Sequence, residues 1–241
     1  MNTLSLVIPC FNEAERLSKA DFLDALAKWP WVSFCFVDDG STDSTAEKIA
    51  HLERLSPSVR ALYLPKNMGK AEAVRAGVRY LCNNACADYI GFWDADLATP
   101  LDEIKPMVEW ADRGYDAIMG LRLMRLGAKV KRKPMRHYLG RCFATVASLM
   151  LDLPVYDTQC GAKLFRTEVV ESIFPEQFIT RWLFDVELLA RYKKVYGKER
   201  AIAKIYEFPL FQWQDIDGSQ LKSRDFFKAP VELMKIKRKY K

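Results

Sequence analysis

Two carboxylates one residue apart, Asp94 and Asp96, follow directly on the apolar run Tyr89-Ile90-Gly91-Phe92-Trp93. A run of that kind reads as a buried strand, which stands both acids at its carboxyl end. There they can converge on one hard divalent cation. Mg²⁺ or Mn²⁺ takes oxygen ligands, needs only one or two protein carboxylates and commonly shares its site with substrate phosphates. An Asp-x-Asp is common, and a capped turn before a helix explains it too. Other chemistry-bearing residues follow other strand-like runs: Asn12-Glu13, Asp38-Asp39 and Lys70. Lys70, after Gly69 at a helix start, is well placed to meet an anion. Each has a plainer alternative, since Asn12 and Glu13 could start a helix, Asp39-Gly40 could simply turn, and Lys70 could be solvated.

Alternating elements must position these groups. Residues 3–9, 31–37, 59–64, 89–93 and 116–121 read as strands, and 13–28, 43–55, 70–81 and 101–113 as helices. That alternation predicts an α/β fold: a Rossmann-like, mostly parallel sheet flanked by helices. Ligands of such sheets sit beyond the carboxyl ends of the strands, where Asn12-Glu13, Asp38-Asp39, Lys70 and Asp94/Asp96 all fall. No Gly-x-Gly-x-x-Gly follows the first strand and no Gly-x₄-Gly-Lys-Ser/Thr occurs, so dinucleotide and Walker-type sites are disfavoured. The second half is less regular. It reads as a helix over 133–151, a turn at 157–161, a short strand at 163–166, a helix over 185–196 and a strand over 202–209. A terminal amphipathic helix over 223–238 contains Pro230, as a kink or as its true first turn. Without linker or repeat, a single domain over 1–241 is expected, with halves 1–121 and 122–241.

Bulk properties narrow the classes. A chain of 241 residues, half hydrophobic and 28% charged, suits a soluble globular protein with a substantial core. No apolar stretch approaches the ~18 residues of a membrane span. The first residues enter a strand-like run at once, leaving no room for a leader peptide, so a cytoplasmic location is expected. Six scattered cysteines (Cys10, Cys35, Cys82, Cys86, Cys142, Cys160) read as reduced core thiols, not as a disulfide framework or a zinc site. The net charge of +6 is uneven: residues 122–141 carry eight Lys or Arg and no acid, and 235–241 are again basic. Such runs suit phosphate groups, an acidic membrane or nucleic acid, or else form a solvated basic face.

Four stretches, Ser5-Leu-Val-Ile-Pro-Cys-Phe-Asn-Glu13, Val37-Asp-Asp-Gly-Ser-Thr-Asp-Ser44, Asn67-Met-Gly-Lys70 and Asp94-Ala-Asp96, resemble in order and spacing the motifs of family 2 glycosyltransferases. These are inverting enzymes with the A-type nucleotide-sugar-binding fold. Asp157-Thr-Gln-Cys-Gly-Ala-Lys-Leu-Phe165, Arg181-Trp-Leu-Phe-Asp-Val-Glu-Leu-Leu189 and Asp217-Gly-Ser-Gln-Leu221 look like the branch acting on dolichyl and other polyprenyl phosphates. The resemblance implies metal-dependent transfer of a hexose, glucose by preference, from a UDP-sugar to a dolichyl or undecaprenyl phosphate at the cytosolic membrane face. It makes Asp96 the principal Mg²⁺ or Mn²⁺ ligand and a catalytic residue, with Asp94 on the metal or the ribose. Pro9, Asn12, Glu13 and Asp39 would frame base and ribose, and Lys70 would meet the nucleotide-sugar.

The acceptor decides what else is needed. A lipid phosphate is already ionised and requires cations, for which the basic run offers Arg122, Arg132 and Arg136, then Lys131 and Arg141. A neutral hydroxyl requires a base; Asp185 resembles the acceptor-side acid of the superfamily, Glu187 is next, and Asp185 could equally cap a helix. The basic-then-apolar segment 133–151 suits peripheral docking on an anionic membrane, although an ordinary core helix looks the same. Two departures stand out. Ala98 replaces a side chain that helps ligate metal in related lipid-phosphate mannosyltransferases, and the transmembrane helices frequent in this branch are missing. A non-catalytic membrane- or nucleic-acid-binding protein is the competing class. Nucleic acid is not expected as a partner, because a carboxylate-lined cleft repels phosphates unless a metal sits there, and no nucleic-acid-binding signature occurs.

Overall fold

Apolar runs rich in β-branched and aromatic residues, such as those over 32–38 and 89–93, become strands; the strands are β1 Leu4–Cys10, β2 Val32–Asp38, β3 Val59–Tyr63, β4 Tyr89–Trp93, β5 Ala117–Leu121, β6 Lys129–Lys131, β7 Ala162–Arg166, β8 Ile205–Pro209 and β9 Gln212–Gln214. The helices are α1 Lys19–Lys28, α2 Thr45–Leu55, α3 Lys70–Asn84, α4 Ile104–Ala111, α5 Pro134–Leu151, α6 Thr167–Ile173, α7 Phe184–Tyr196, α8 Lys198–Lys204 and α9 Ser223–Lys239. A 3₁₀ turn, Leu101–Glu103, leads into α4. This computed structural model describes residues 2–216 and 223–241, with the backbone alone of Arg136 and residues 223–227. The 217–221 motif lies outside the described residues.

Seven strands form one sheet in the order β3-β2-β1-β4-β7-β5-β8. Neighbours run parallel except at β7, which is antiparallel to both β4 and β5. The second half of the chain therefore threads a strand into the middle of the sheet built by the first. Alternation along β1 and β2 divides the core between two faces. Leu4, Leu6, Ile8, Phe34 and Phe36 pack with Phe22 of α1 and with Ile49 and Leu52 of α2. Val7, Cys35 and Val37 meet Val74 and Val78 of α3, on the face that also takes α5, α6, α7 and α9. Phe22, fully buried and edge-on to Phe34 and Phe36, contributes about 2–3 kcal/mol by burial alone.

Several boundaries differ from the sequence reading. The helix expected from Glu13 starts only at Lys19. The Glu13 carbonyl instead accepts from the amides of Arg16 and Leu17 in a single turn, and Ser18 caps α1 by accepting from the Asp21 N–H. The strand expected from 202 begins at Ile205, because Lys198–Lys204, rich in good helix formers, forms α8. Pro230 lies inside α9, not at its first turn. The small parallel pair β6–β9 and helix α6 are too short to have left a periodic signal. Among the described residues, no helix is long and apolar enough to cross a membrane.

Candidate active site

The carboxyl ends of β1, β2 and β4 open into a cavity of about 680 Å³. Pro9, Glu13, Asp39, Lys70, Asp94, Asp96, Arg122, Arg132 and Asp185 all line it. Asn12 is not among its lining residues, and the side chain of Arg136 lies outside the described residues.

β4 delivers the two carboxylates. Its last residue, Trp93, is fully buried and donates its indole N–H to the Thr99 carbonyl at 2.7 Å, which pins the loop that follows. Within that loop Leu97 sits at φ 52°, a left-handed conformation that costs a non-glycine residue on the order of 1 kcal/mol. The Asp94 N–H donates to the Gly161 carbonyl, and the Asp94 carboxylate lies so close over Gly161 that a Cβ there would overlap it. A side chain at 161 would force that carboxylate to move. Asp96 accepts from the Ala98 N–H at 3.0 Å. Burial and the adjacent Asp94 raise the Asp96 carboxyl above the ordinary range. Lys70 pairs with Asp94; burial would lower its ammonium, but Asp94 and then Asp185 hold it above the usual lysine value.

Three of the residues expected to frame base and ribose are engaged by neighbouring protein groups. Asn12, at φ 53°, accepts from the Thr42 N–H and donates its own N–H to Ser41, tying the β1 loop to the β2 loop. Glu13 grips Arg16 through both carboxylate oxygens at 2.7 and 2.8 Å. Asp39 accepts from the Met68 and Gly69 amides at 2.7 Å each, so it positions the turn that presents Lys70. Gly69, at φ 93°, has the Arg181 guanidinium where a side chain would be, and Arg181 donates to Asn67 at 2.6 Å.

The opposite wall is cationic. Arg122 makes a two-point pair with Asp157 at 2.6 and 2.7 Å. Burial would raise Asp157, yet the Arg122 guanidinium overrides it and holds the carboxyl at about 2. Glu207 of β8 accepts from the Tyr156 and Asp157 amides, fixing that turn. Arg132 lies near Trp213 of β9, 5.8 Å from the ring centroid, and burial and the Arg122 charge lower its guanidinium. Arg141 stacks on Tyr156 and donates to its carbonyl. Lys131 is exposed on β6. Asp185, in the first turn of α7, pairs with the fully buried Lys163 at 2.5 Å. Burial raises its carboxyl, against Lys163 and Lys70. Glu187 is absent from the cavity lining and is bound to Arg191, Tyr240 and the Ile179 amide.

Asp157, Lys163 and Arg181 lie inside the quoted motifs but carry no local mark of their roles, because these rest on partners 22 to 114 residues away. Glu207 and Trp213 carried no local signal. A divalent cation fits this site in one way. No cluster of three or more His, Cys, Asp or Glu able to hold a metal occurs among the described residues. Asp94 and Asp96 offer hard oxygens and leave room for ligands from a diphosphate and water. Two cavity residues also hold buried polar atoms without a protein partner, Thr158 Oγ1 and Gln159 Nε2. Such atoms are commonly satisfied by a ligand or ordered water.

Comparison with known proteins follows the same lines. The sequence model of glycosyl transferase family 2 matches residues 5–174. A dolichyl-phosphate beta-glucosyltransferase of Trichomonas vaginalis is 33% identical over 247 residues, covering 96% of this chain and 70% of the relative. The protein of that name from Dictyostelium discoideum is 33% identical over 249 residues, covering 96% and 72%. The Saccharomyces cerevisiae protein is 29% identical over 263 residues, covering 98% and 75%. Among solved structures, glucosyl-3-phosphoglycerate synthase from Mycobacterium tuberculosis, in complex with Mn²⁺ and uridine-diphosphate-glucose, superposes with a TM-score of 0.70 at 16% identity. That match covers 99% of this chain and 79% of the other. Identity that low shows a shared fold.

Proposed function

This chain belongs to glycosyl transferase family 2, and we propose that it moves glucose from UDP-glucose to a polyprenyl phosphate, inverting the anomeric carbon. Membership carries the reaction class: the chain is a nucleotide-sugar-dependent glycosyltransferase with the A-type fold. The donor, the acceptor, the cation (Mg²⁺ or Mn²⁺) and action at a cytosolic membrane face are our reading. One observation carries it: a single cavity sets Asp94 and Asp96 against the guanidinium groups of Arg122 and Arg132. The names of the relatives, dolichyl-phosphate beta-glucosyltransferases, agree with that arrangement.

In this reading Asp94 and Asp96 hold the cation. When bound, it neutralises charge on the departing diphosphate. Lys70 leaves Asp94 for the donor phosphates, keeping a favourable partner throughout. Asp39 and Asn12 keep the surrounding loops in register, and Pro9 and Glu13 border the nucleoside end. Arg122, locked by Asp157, and Arg132 receive the acceptor phosphate. One of its oxygens, already ionised, forms the new bond to the anomeric carbon as the bond to UDP breaks on the other face. No proton has to be removed. Asp185 supports that choice, because its carboxylate is committed to Lys163 at 2.5 Å. A second reading, a hydroxyl acceptor with Asp185 as base, draws support from the raised Asp185 carboxyl.

The test is transfer of radiolabel from UDP-glucose, with Mn²⁺ or Mg²⁺, into an organic phase containing dolichyl phosphate. We expect transfer to need the lipid phosphate and the metal. Asp96→Ala should lower kcat/KM by at least about 10²-fold, as loss of a group stabilising transition-state charge does. Transfer that survives chelation, or no transfer from UDP-glucose, would overturn the reading.

A further inference from the structure

Lys163 is fully buried and stands behind Asp185. β7 carries it into the middle of the sheet, in register with Phe92 of β4 and Met119 of β5. Its Nζ donates to the Cys160 carbonyl and to Asp185 Oδ1, each at 2.5 Å, and lies 5.3 Å from the centre of the Phe92 ring. On its other side Met119, Phe165 and Leu188 border a void of about 10 Å³, room for one water at most. A buried ion pair is a poor source of stability, because well-packed apolar residues of the same volume commonly do as well or better. The pair therefore points to a role at the site, where Asp185 lines the cavity.

The other acids among the described cavity residues are engaged. Asp94 and Asp96 face the cation in the proposed reaction, and Glu13 grips Arg16. Asp39 and Asp215 accept from backbone amides, and Asp157 pairs with Arg122. Asp185 has two cations near it, Lys163 and Lys70. Once Lys70 turns to the donor phosphates, Lys163 still holds it. A carboxylate released here would be a base for water. Burial already raises the Asp185 carboxyl, toward the range in which a base works at neutral pH. The step it would promote is hydrolysis of the donor. A water oxygen bonds to the anomeric carbon, the bond from that carbon to the diphosphate oxygen breaks with its electrons leaving on UDP, and Asp185 takes the water proton. An ionised phosphate acceptor requires no such base, so transfer does not suffer when the base is withdrawn.

We propose, on the donor and acceptor of the preceding reading, that Lys163 is a positioning residue that protects the donor from water. By holding Asp185 in an ion pair it withdraws the base that would turn the transferase into a nucleotide-sugar hydrolase. Lys163 itself touches neither donor nor acceptor.

UDP release from UDP-glucose with Mn²⁺ and no acceptor tests this, measured beside glucose transfer to dolichyl phosphate. Wild type should transfer glucose with little hydrolysis. Lys163→Met, a side chain of similar length suited to the apolar surroundings, should hydrolyse UDP-glucose at least about tenfold faster, a fraction of what a well-placed general base supplies. Lys163→Gln, which keeps a donor for the Asp185 carboxylate, should show the same gain if the Met variant does not fold. Lys163→Met/Asp185→Asn, with both charges removed, should fall back to the slow wild-type rate. A purely structural role for Lys163 would give neither the gain nor its reversal. Wild-type affinity for UDP with Mn²⁺ identifies the variants that fold. Unchanged hydrolysis in a folded Lys163 variant, or a gain that persists in the double variant, would overturn the proposal while transfer by wild type stands. Loss of UDP binding in both single variants would assign Lys163 to folding and likewise overturn it. A wild type that transfers no glucose would overturn the preceding reading, and this one with it.

Discussion

The pair between Arg122 and Asp157 shows how single residues prepare this cavity. The Asp157 carboxyl sits at about 2, below its unfolded value of about 3.9. A depressed folded value stabilises the fold above the unfolded pKa and is lost as pH falls through the folded one. The pair therefore contributes about 2–3 kcal/mol at neutral pH, roughly half of that at pH 3, and little below pH 2. Urea unfolding of wild type and Asp157→Asn should show that gap at pH 7 and see it shrink as pH drops toward 3. A gap unchanged with pH would refute the assignment. At this scale the sequence was legible where spacing is local: Asp94 and Asp96 on one strand end, Lys70 after Gly69, the acids after β2. It was not legible in Arg122–Asp157 or Lys163–Asp185, because nothing short-range marks which distant charge a buried charge will meet.

At the scale of elements, the insertion of antiparallel β7 between β4 and β5 does most to build the site. It brings Gly161 under Asp94 and carries Lys163 to Asp185. Period and length identified a short strand at 163–166, but an alternating strand–helix pattern favours parallel neighbours, and position in the sheet has no local signature. The β4–β7 junction yields its own prediction. In Gly161→Ala the new methyl takes the space of the Asp94 carboxylate, so affinity for UDP with Mn²⁺, read by calorimetry, should fall by about tenfold or more, in line with the loss of one charge-assisted contact. Affinity unchanged at full thermal stability would mean that Asp94 is not held where the metal binds.

For the molecule as a whole, charge is sorted by position more than by amount. The net charge is only +6, but carboxylates gather at the carboxyl ends of β2 and β4 while cations gather on the facing wall and along the outer edge of α5 and α9. Strand–helix alternation made the fold class readable, and the motifs made the family readable. The second-half motifs pointed to the branch acting on polyprenyl phosphates, but the two facing walls that would receive the acceptor were not readable, since they join opposite halves of the chain. In the proposed reaction the cationic wall selects an ionised phosphate, so that no general base is used. The most direct test offers wild-type enzyme equal amounts of dolichyl phosphate and dolichol in one detergent mixture, with radiolabelled UDP-glucose and Mn²⁺. The expected outcome is label in a charged, acid-labile glucosyl phospholipid and none on dolichol. Label on dolichol, or on a water-soluble hydroxyl compound in preference to the lipid phosphate, would contradict it and return Asp185 to the role of base.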